Sequence, residues 1–261
     1  MDPKNTADDD AIFARLRRIL VVHFALWQAI VSSSPDFPLE YIHHAHSDVE
    51  RQMEYYEYDF VSSSETVRGD PTPAGSSQFW AQYAMTNLCD EFCALFLGHV
   101  KTLLKNYPGE FGDGVKVKCL VFFPRPASYI FYRRSREMVK HSVLEIVLPN
   151  GTTWIFDGTI AQYGWDLTKY WLISAEEYHS KFVDPEDAVH HQREDAADRQ
   201  PKDAKDSDDE MEMEYERFWK MMPEFVHGYL DDLDWDPLKE LSVRDISERV
   251  AYEAREILFV S

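Results

Sequence analysis

His141-Ser-Val-Leu-Glu-Ile-Val-Leu-Pro-Asn-Gly-Thr-Thr-Trp-Ile-Phe-Asp157 spells out a β-hairpin. Two runs rich in β-branched and aromatic residues, starting at His141 and at Thr152, flank Pro149-Asn150-Gly151, a strong turn signal between strands. A histidine opens the first strand and an aspartate closes the second. Strand side chains alternate faces, so the length of the loop decides whether those two can meet. A two-residue Asn150-Gly151 loop sets Leu144 opposite Asp157 and turns the carboxylate away from His141. A three-residue loop with Gly151 left-handed sets Leu148 opposite Thr152 and Val143 opposite Asp157. His141 and Asp157 then share a face, offset by roughly 7 Å along the strand, a gap their side chains can close. The three-residue loop, or a bulge of equal effect, is the expectation.

Upstream, Leu88, Phe92, Leu95, Phe96, Val100, Leu103 and Leu104 recur at helical spacing, and Tyr107-Pro108-Gly109 stops the helix. With Asn87 as N-cap and Asp90 in a capping-box position, Cys89 is the second residue of this helix. There the positive end of the helix dipole and free N–H groups favour a thiolate. Cys93, one turn deeper among apolar neighbours, and Cys119, inside a strand-like run, read as packing residues. A thiol nucleophile needs a base, and the base needs an orienting carboxylate. Cys89, His141 and Asp157 supply all three in that order. The plain alternative is that His141 and Asp157 are ordinary strand-end polar residues.

The stretch from His141 to Asp157 resembles the histidine strand, turn, Trp-containing strand and aspartate of the transglutaminase-like and arylamine N-acetyltransferase branch of the papain-like superfamily. The resemblance covers roughly residues 80 to 180. Thr86-Asn87-Leu88-Cys89-Asp90 departs from it, lacking the small Gly- or Trp-containing signature usual around the cysteine. It implies an α+β fold with a papain-like core: a long helix carrying Cys89, packed on an antiparallel sheet, with accessory helices at both ends. It also implies a thioester chemistry in which Cys89 attacks an acyl or amide carbonyl, His141 is base and then acid, and Asp157 fixes its tautomer. Gln82, seven residues before the cysteine, matches the glutamine that supplies an oxyanion-hole amide in the papain-like pattern, and Gln162 just after the aspartate competes for that role.

Outside this region, Asp10 is placed to cap an amphipathic helix running to Ser32–Ser34, with Ile12, Phe13, Leu16, Ile19, Leu20, Phe24, Trp27 and Ile30 on one face. His43, His44, His46 and Asp48 are metal-ligand residue types without a second ligand group at a recognisable spacing. They read as a polar loop or helix start. Residues 62–77 read as a loop, and Val115–Phe123 and Ser128–Tyr132 as further strands of an expected antiparallel sheet. Residues 184–210 are acidic and nearly free of apolar side chains, which marks a mobile insertion. Phe218, Trp219, Met222, Phe225 and Tyr229, then Ile246, Val250 and Ile257, mark two C-terminal helices. The division is an N-terminal helical region over 1–75, a Cys-His-Asp core over 76–183, an acidic flexible segment over 184–212 and C-terminal helices over 213–261.

Composition narrows the function. The net charge is −20, yet residues 184–216 carry fourteen acids against four bases, while residues 115–140 carry seven bases against Glu137 alone. That polarised charge fits an anionic substrate. Arg133, Arg134 and Trp165 are therefore candidate substrate contacts, and a phosphate-bearing acyl donor such as coenzyme A or an aminoacyl-tRNA fits the basic stretch with its interleaved Tyr129, Phe131 and Tyr132. The expected activity is an acyl transfer that forms an amide from such a donor and an amine acceptor. The alternatives are a thiol protease, amidase or deamidase, and an inactive papain-like interaction module whose acidic segment docks a basic partner. Nothing calls for a cofactor or metal. Three cysteines, no apolar membrane span and no secretory leader pattern place the expected protein in the cytoplasm.

Overall fold

The structure, a computed structural model, describes residues 3–34, 39–48, 53–60, 72–73, 77–106, 111, 114–132, 140–184, 191–193 and 210–260. The architecture is mixed α+β. Helix α1 (Pro3–Ser33) begins at a proline, whose missing N–H costs nothing in a first turn, so Asp10 lies inside the helix and does not cap it. From Ile19 to Val31 only Phe24 and Gln28 are not buried, and Leu20, Leu26, Trp27 and Ile30 are fully enclosed. Over that stretch the helix is apolar on nearly all sides and interior, whereas Ala11, Ala14 and Arg15 nearer its start are exposed, so only its N-terminal part is amphipathic. The chain then forms β1 (Leu39–Asp48), β2 (Met53–Phe60), β3 (Thr72–Pro73), α2 (Ser77–Ala84) and α3 (Cys89–Asn106). His43, His44 and His46 thus lie on a strand paired with β2, where a polar loop or helix start was expected. Of residues 62–77, expected as a loop, only β3 and the first residue of α2 are described.

Next come β4 (Lys116–Phe122), β5 (Ser128–Tyr132), β6 (His141–Val147), β7 (Thr153–Phe156), a 3-10 turn over Ile160–Tyr163, α4 (Leu167–Tyr170), β8 (Leu172–Ser174) and α5 (Ala175–Phe182). Strand β9 (His191–Arg193) is followed by α6 (Glu210–Asp232), α7 (Trp235–Leu238) and α8 (Val243–Val260). Five strands in the order β8-β7-β6-β4-β9 form an antiparallel sheet, and a second sheet runs β3-β1-β2-β5. Ser128–Tyr132 is a strand as expected but leaves the first sheet and pairs parallel with β2. Pro124 and Pro126 explain the departure: without N–H groups they cannot extend the β4 ladder. Instead Arg125 N–H bonds to Phe182 O and Ala127 N–H to Tyr163 O, which turns the chain across the top of α5.

The β6–β7 register pairs Leu144 with Phe156 and Val147 with Thr153, so Leu148 faces Thr152 around a three-residue loop. Gly151 has φ +87°, a conformation that glycine adopts at little cost. The expected hairpin geometry is the observed one.

Helix α3 packs on β6 and β4 through Phe92, Cys93, Phe96 and Val100, and α1 and α6 cover its other side. Trp27 of α1 meets Phe92 edge-on at 5.4 Å and donates its indole N–H to Gly158 O at 2.9 Å. Gly158 is a glycine because a Cβ there would lie 2.4 Å from the Phe92 ring. The terminal helices complete this core: Met222, Val226 and Leu230 of α6 and Ile246, Val250 and Ala254 of α8 are buried with α1 in one cluster. Of the acidic segment, residues 185–190 and 194–209 lie outside the described residues, while His191–Arg193 pairs with β4. Among the described residues no helix is long and apolar enough to cross a membrane.

Candidate functional site

Asn87, at φ +63°, takes the left-handed conformation that asparagine tolerates best among non-glycine residues, and it turns the chain out of α2. The first intrahelical bond of α3 runs from Phe92 N–H to Leu88 O at 3.0 Å. Leu88 therefore stands at the cap position and Cys89 is the first helical residue. Neither the expected Asn87 cap nor the Asp90 capping box forms. Asp90 instead accepts a hydrogen bond from the Ser142 hydroxyl, which fixes the start of α3 against the start of β6. That brace sets Cys89 beside His141. Cys89 Sγ lies 3.8 Å from Lys140 O, immediately before His141.

On the imidazole, Nε2 sits 2.7 Å from Asp157 Oδ2. Asp157 is held by three further donors: Thr159 N–H at 2.9 Å and Thr159 Oγ1–H at 3.2 Å on Oδ1, and the Tyr178 hydroxyl at 2.6 Å on Oδ2. Its own N–H bonds to Trp171 O at 2.8 Å. Every lone-pair direction of the carboxylate is thus engaged, which is how a buried charge is made tolerable. Burial works against a charged His141, but the Asp157 carboxylate, the bond to it and the neighbouring Cys89 outweigh that and push its pKa up to about 10.

The other ring nitrogen, Nδ1, lies 3.0 Å from Gln162 Nε2, while Gln162 Oε1 accepts the Asn87 N–H at 3.2 Å. The backbone N–H can only donate, so it fixes the carboxamide with its NH2 toward the imidazole. The same Gln162 Nε2 also donates to Thr159 Oγ1 at 3.3 Å. Gln82, the rival oxyanion candidate, has its amide group engaged by Ser128 O at 2.9 Å and Gln162 O at 3.2 Å, so it braces the Gln162 backbone.

Trp165 donates to Arg125 O at 3.2 Å and packs edge-on against Phe182 at 4.9 Å, covering α5. Arg133 and Arg134 lie outside the described residues. In the basic stretch Lys118 is paired with Glu145 at 2.8 Å and Lys140 lies over the Phe123 ring. Sequence reasoning missed Thr159, Tyr178 and Phe122. The Tyr163 and Phe122 rings meet the imidazole edge-on at 4.8 Å and 5.5 Å and shield the pair from water. Thr159 was legible, since an aspartate bonded to the N–H two residues on is an Asx turn. Tyr178, twenty-one residues away in sequence, carried no signal.

Cys89 is 3% exposed and His141 and Asp157 are fully buried. The start of α3 is covered at Cys89. Cys93 lies deeper still, and burial beside Cys119 pushes its thiol well up, so it stays protonated and unreactive. A cavity of about 750 Å3 opens elsewhere, between α1, α4 and α8, with Phe24, Trp171 and Arg17 in its lining. Among the described residues no group of three or more His, Cys, Asp or Glu is placed to hold a metal ion. No family model matches the chain, and neither a curated protein nor a solved structure matches it.

Proposed function

We propose that this chain is a cysteine-dependent acyltransferase with a papain-like, transglutaminase-like core, in which Cys89 is the nucleophile, His141 the base and Asp157 the residue that orients it. The observation that carries the reading is the buried 2.7 Å bond between His141 Nε2 and Asp157 Oδ2, with Cys89 neighbouring the same imidazole. In the reaction the Cys89 thiol proton passes to His141, and the thiolate sulfur attacks the donor carbonyl. The tetrahedral oxyanion is met by the Gln162 amide. Collapse expels the leaving group, which takes the proton from His141, and leaves a thioester on Cys89. An amine then attacks the thioester with His141 as base, yielding an amide.

The Phe122 and Tyr163 rings shield the base His141 from bulk water, which supports transfer to a bound amine over hydrolysis. A hydrolase acting on amides is the nearest variant. The phosphate-bearing donor, coenzyme A ester or aminoacyl-tRNA, rests on the charge of residues 115–140, of which Lys118 is already paired within the sheet. Three buried free cysteines support a reducing, cytoplasmic setting. The enclosure of Cys89 favours one competing reading, an inactive papain-like module that binds a basic partner through its acidic segment.

Alkylation separates the two. In an active site the rate of Cys89 modification by iodoacetamide depends on His141 and falls in His141→Gln. In a module, all three thiols react slowly and His141→Gln changes nothing.

A further inference from the structure

We propose that Tyr178 is a positioning residue that sets the base strength of His141 by sharing the Asp157 oxygen on which the imidazole bears. The inference rests on His141 acting as the base for Cys89. The two oxygens of Asp157 are not equivalent: Thr159 donates twice to Oδ1, whereas Oδ2 takes His141 Nε2 at 2.7 Å and the Tyr178 hydroxyl at 2.6 Å. Each donor on Oδ2 draws on the negative charge that holds the imidazolium. His141 must later give its proton to the leaving group and then serve as base for the amine, so an undivided pull from a buried carboxylate works against turnover. With the phenol removed, the carboxylate holds its proton on His141 more tightly.

Tyr178 is built for this single task. Its side chain is fully buried, and the edge-on rings of Phe122 at 5.7 Å and Phe182 at 5.1 Å fix its plane. Burial, reinforced by Asp157, pushes its phenol well up, so the hydroxyl remains a donor while the thiol proton moves between Cys89 and His141. Phe122 also meets His141 edge-on, so one ring spaces both donors around Oδ2. The titratable and charged groups around His141 are Asp157 at the end of β7, Cys89 from α3, Tyr178 from α5, Tyr163 from the 3-10 turn and Lys140 beside it in sequence. Cys93 from α3 and Tyr129 from β5 stand one layer back, against Asp157 and Tyr163 respectively. The Tyr178 hydroxyl and His141 Nε2 meet on Oδ2.

The test is the titration of His141, followed by 15N NMR on the full chain with labelled histidine, the signal being identified by its loss in His141→Gln. In Tyr178→Phe the His141 pKa rises by about one unit, as expected when a hydrogen bond to the partner carboxylate is lost. Replacing the Tyr178 ring by mono- and difluorotyrosine keeps its size and hydroxyl, so folding is secure, and strengthens the donor stepwise. The His141 pKa then falls with each fluorine. A purely structural Tyr178 predicts a lower melting temperature with the His141 titration unmoved in both series, and that result overturns the proposal, as does a slope of the opposite sign. Neither readout requires turnover. A failure of Cys89 to form a thioester would therefore be seen separately from a failure of Tyr178 to tune His141.

Discussion

His141 Nε2 and Asp157 Oδ2 lie 2.7 Å apart with neither side chain exposed, and all the acceptor capacity of the carboxylate is in use. Asp157→Asn offers one oxygen to four donors, so its NH2 faces either the Thr159 pair or the His141–Tyr178 pair. Breaking one member of a buried ion pair costs about 3 kcal/mol or more. Urea unfolding of Asp157→Asn should show that loss, and the variant should also lose the His141-dependent alkylation of Cys89.

Stability should fall at both ends of the pH scale for different histidines. The folded pKa of His141, up to about 10, lies above its ordinary value of 6.5. Its contribution is therefore complete below pH 6.5 and disappears as pH rises toward 10. His23 is fully enclosed and pushed down to about 3 by burial and by its neighbour His99. The unfolded chain binds the extra proton first, so stability is lost as pH falls from 6.5 toward 3. Unfolding free energies measured across this range should drop on both sides. The alkaline slope should flatten in His141→Gln and the acid slope in His23→Gln.

Gly158→Ala puts a methyl group against Phe92, the ring that α1, α3 and β7 share. Overpacking of this kind costs about 1–3 kcal/mol, and because Gly158 directly follows Asp157 the shift should reach the site. Thermal unfolding should show the loss, and the His141 NMR signal should move with it.

Cys93→Ala should lower stability by about 1 kcal/mol, the value for deleting a small buried side chain, and leave the Cys89 chemistry in place. Cys89→Ala should abolish the chemistry. Because Cys89 is itself buried, that variant should show a similar small loss of stability in the same urea titration.

Deleting residues 186–208 removes β9 and uncovers the edge of β4 along Cys119–Val121. An unpaired strand edge invites association, so the deletion should lower the melting temperature and give concentration-dependent aggregation in light scattering.

The hairpin was legible in the sequence because its turn residues and its side-chain alternation are local. Pro149-Asn150-Gly151 marked the turn but allowed a two- or a three-residue loop, and only the three-residue one, which is observed, lets Asp157 share a face with His141. Helix α3 was legible from its apolar spacing. Its first turn was misjudged because Asn87 fits a cap or a left-handed turn equally well, and a distant bond to Gln162 selects the turn. The departure of β5 to a second sheet and the burial of α1 depend on partners far along the chain, which periodicity does not report. Tyr178 belongs to the same class: an aromatic residue on a short helix becomes part of the site only when α5 folds back over β7.

The most direct test of the account is intact-mass spectrometry after incubation with a reactive acyl thioester and no amine acceptor. The expected result is a single acyl group on Cys89, removed by hydroxylamine and absent from both Cys89→Ala and His141→Gln. No adduct at Cys89, or an equal adduct in His141→Gln, would contradict the assignment of Cys89 and His141 as nucleophile and base.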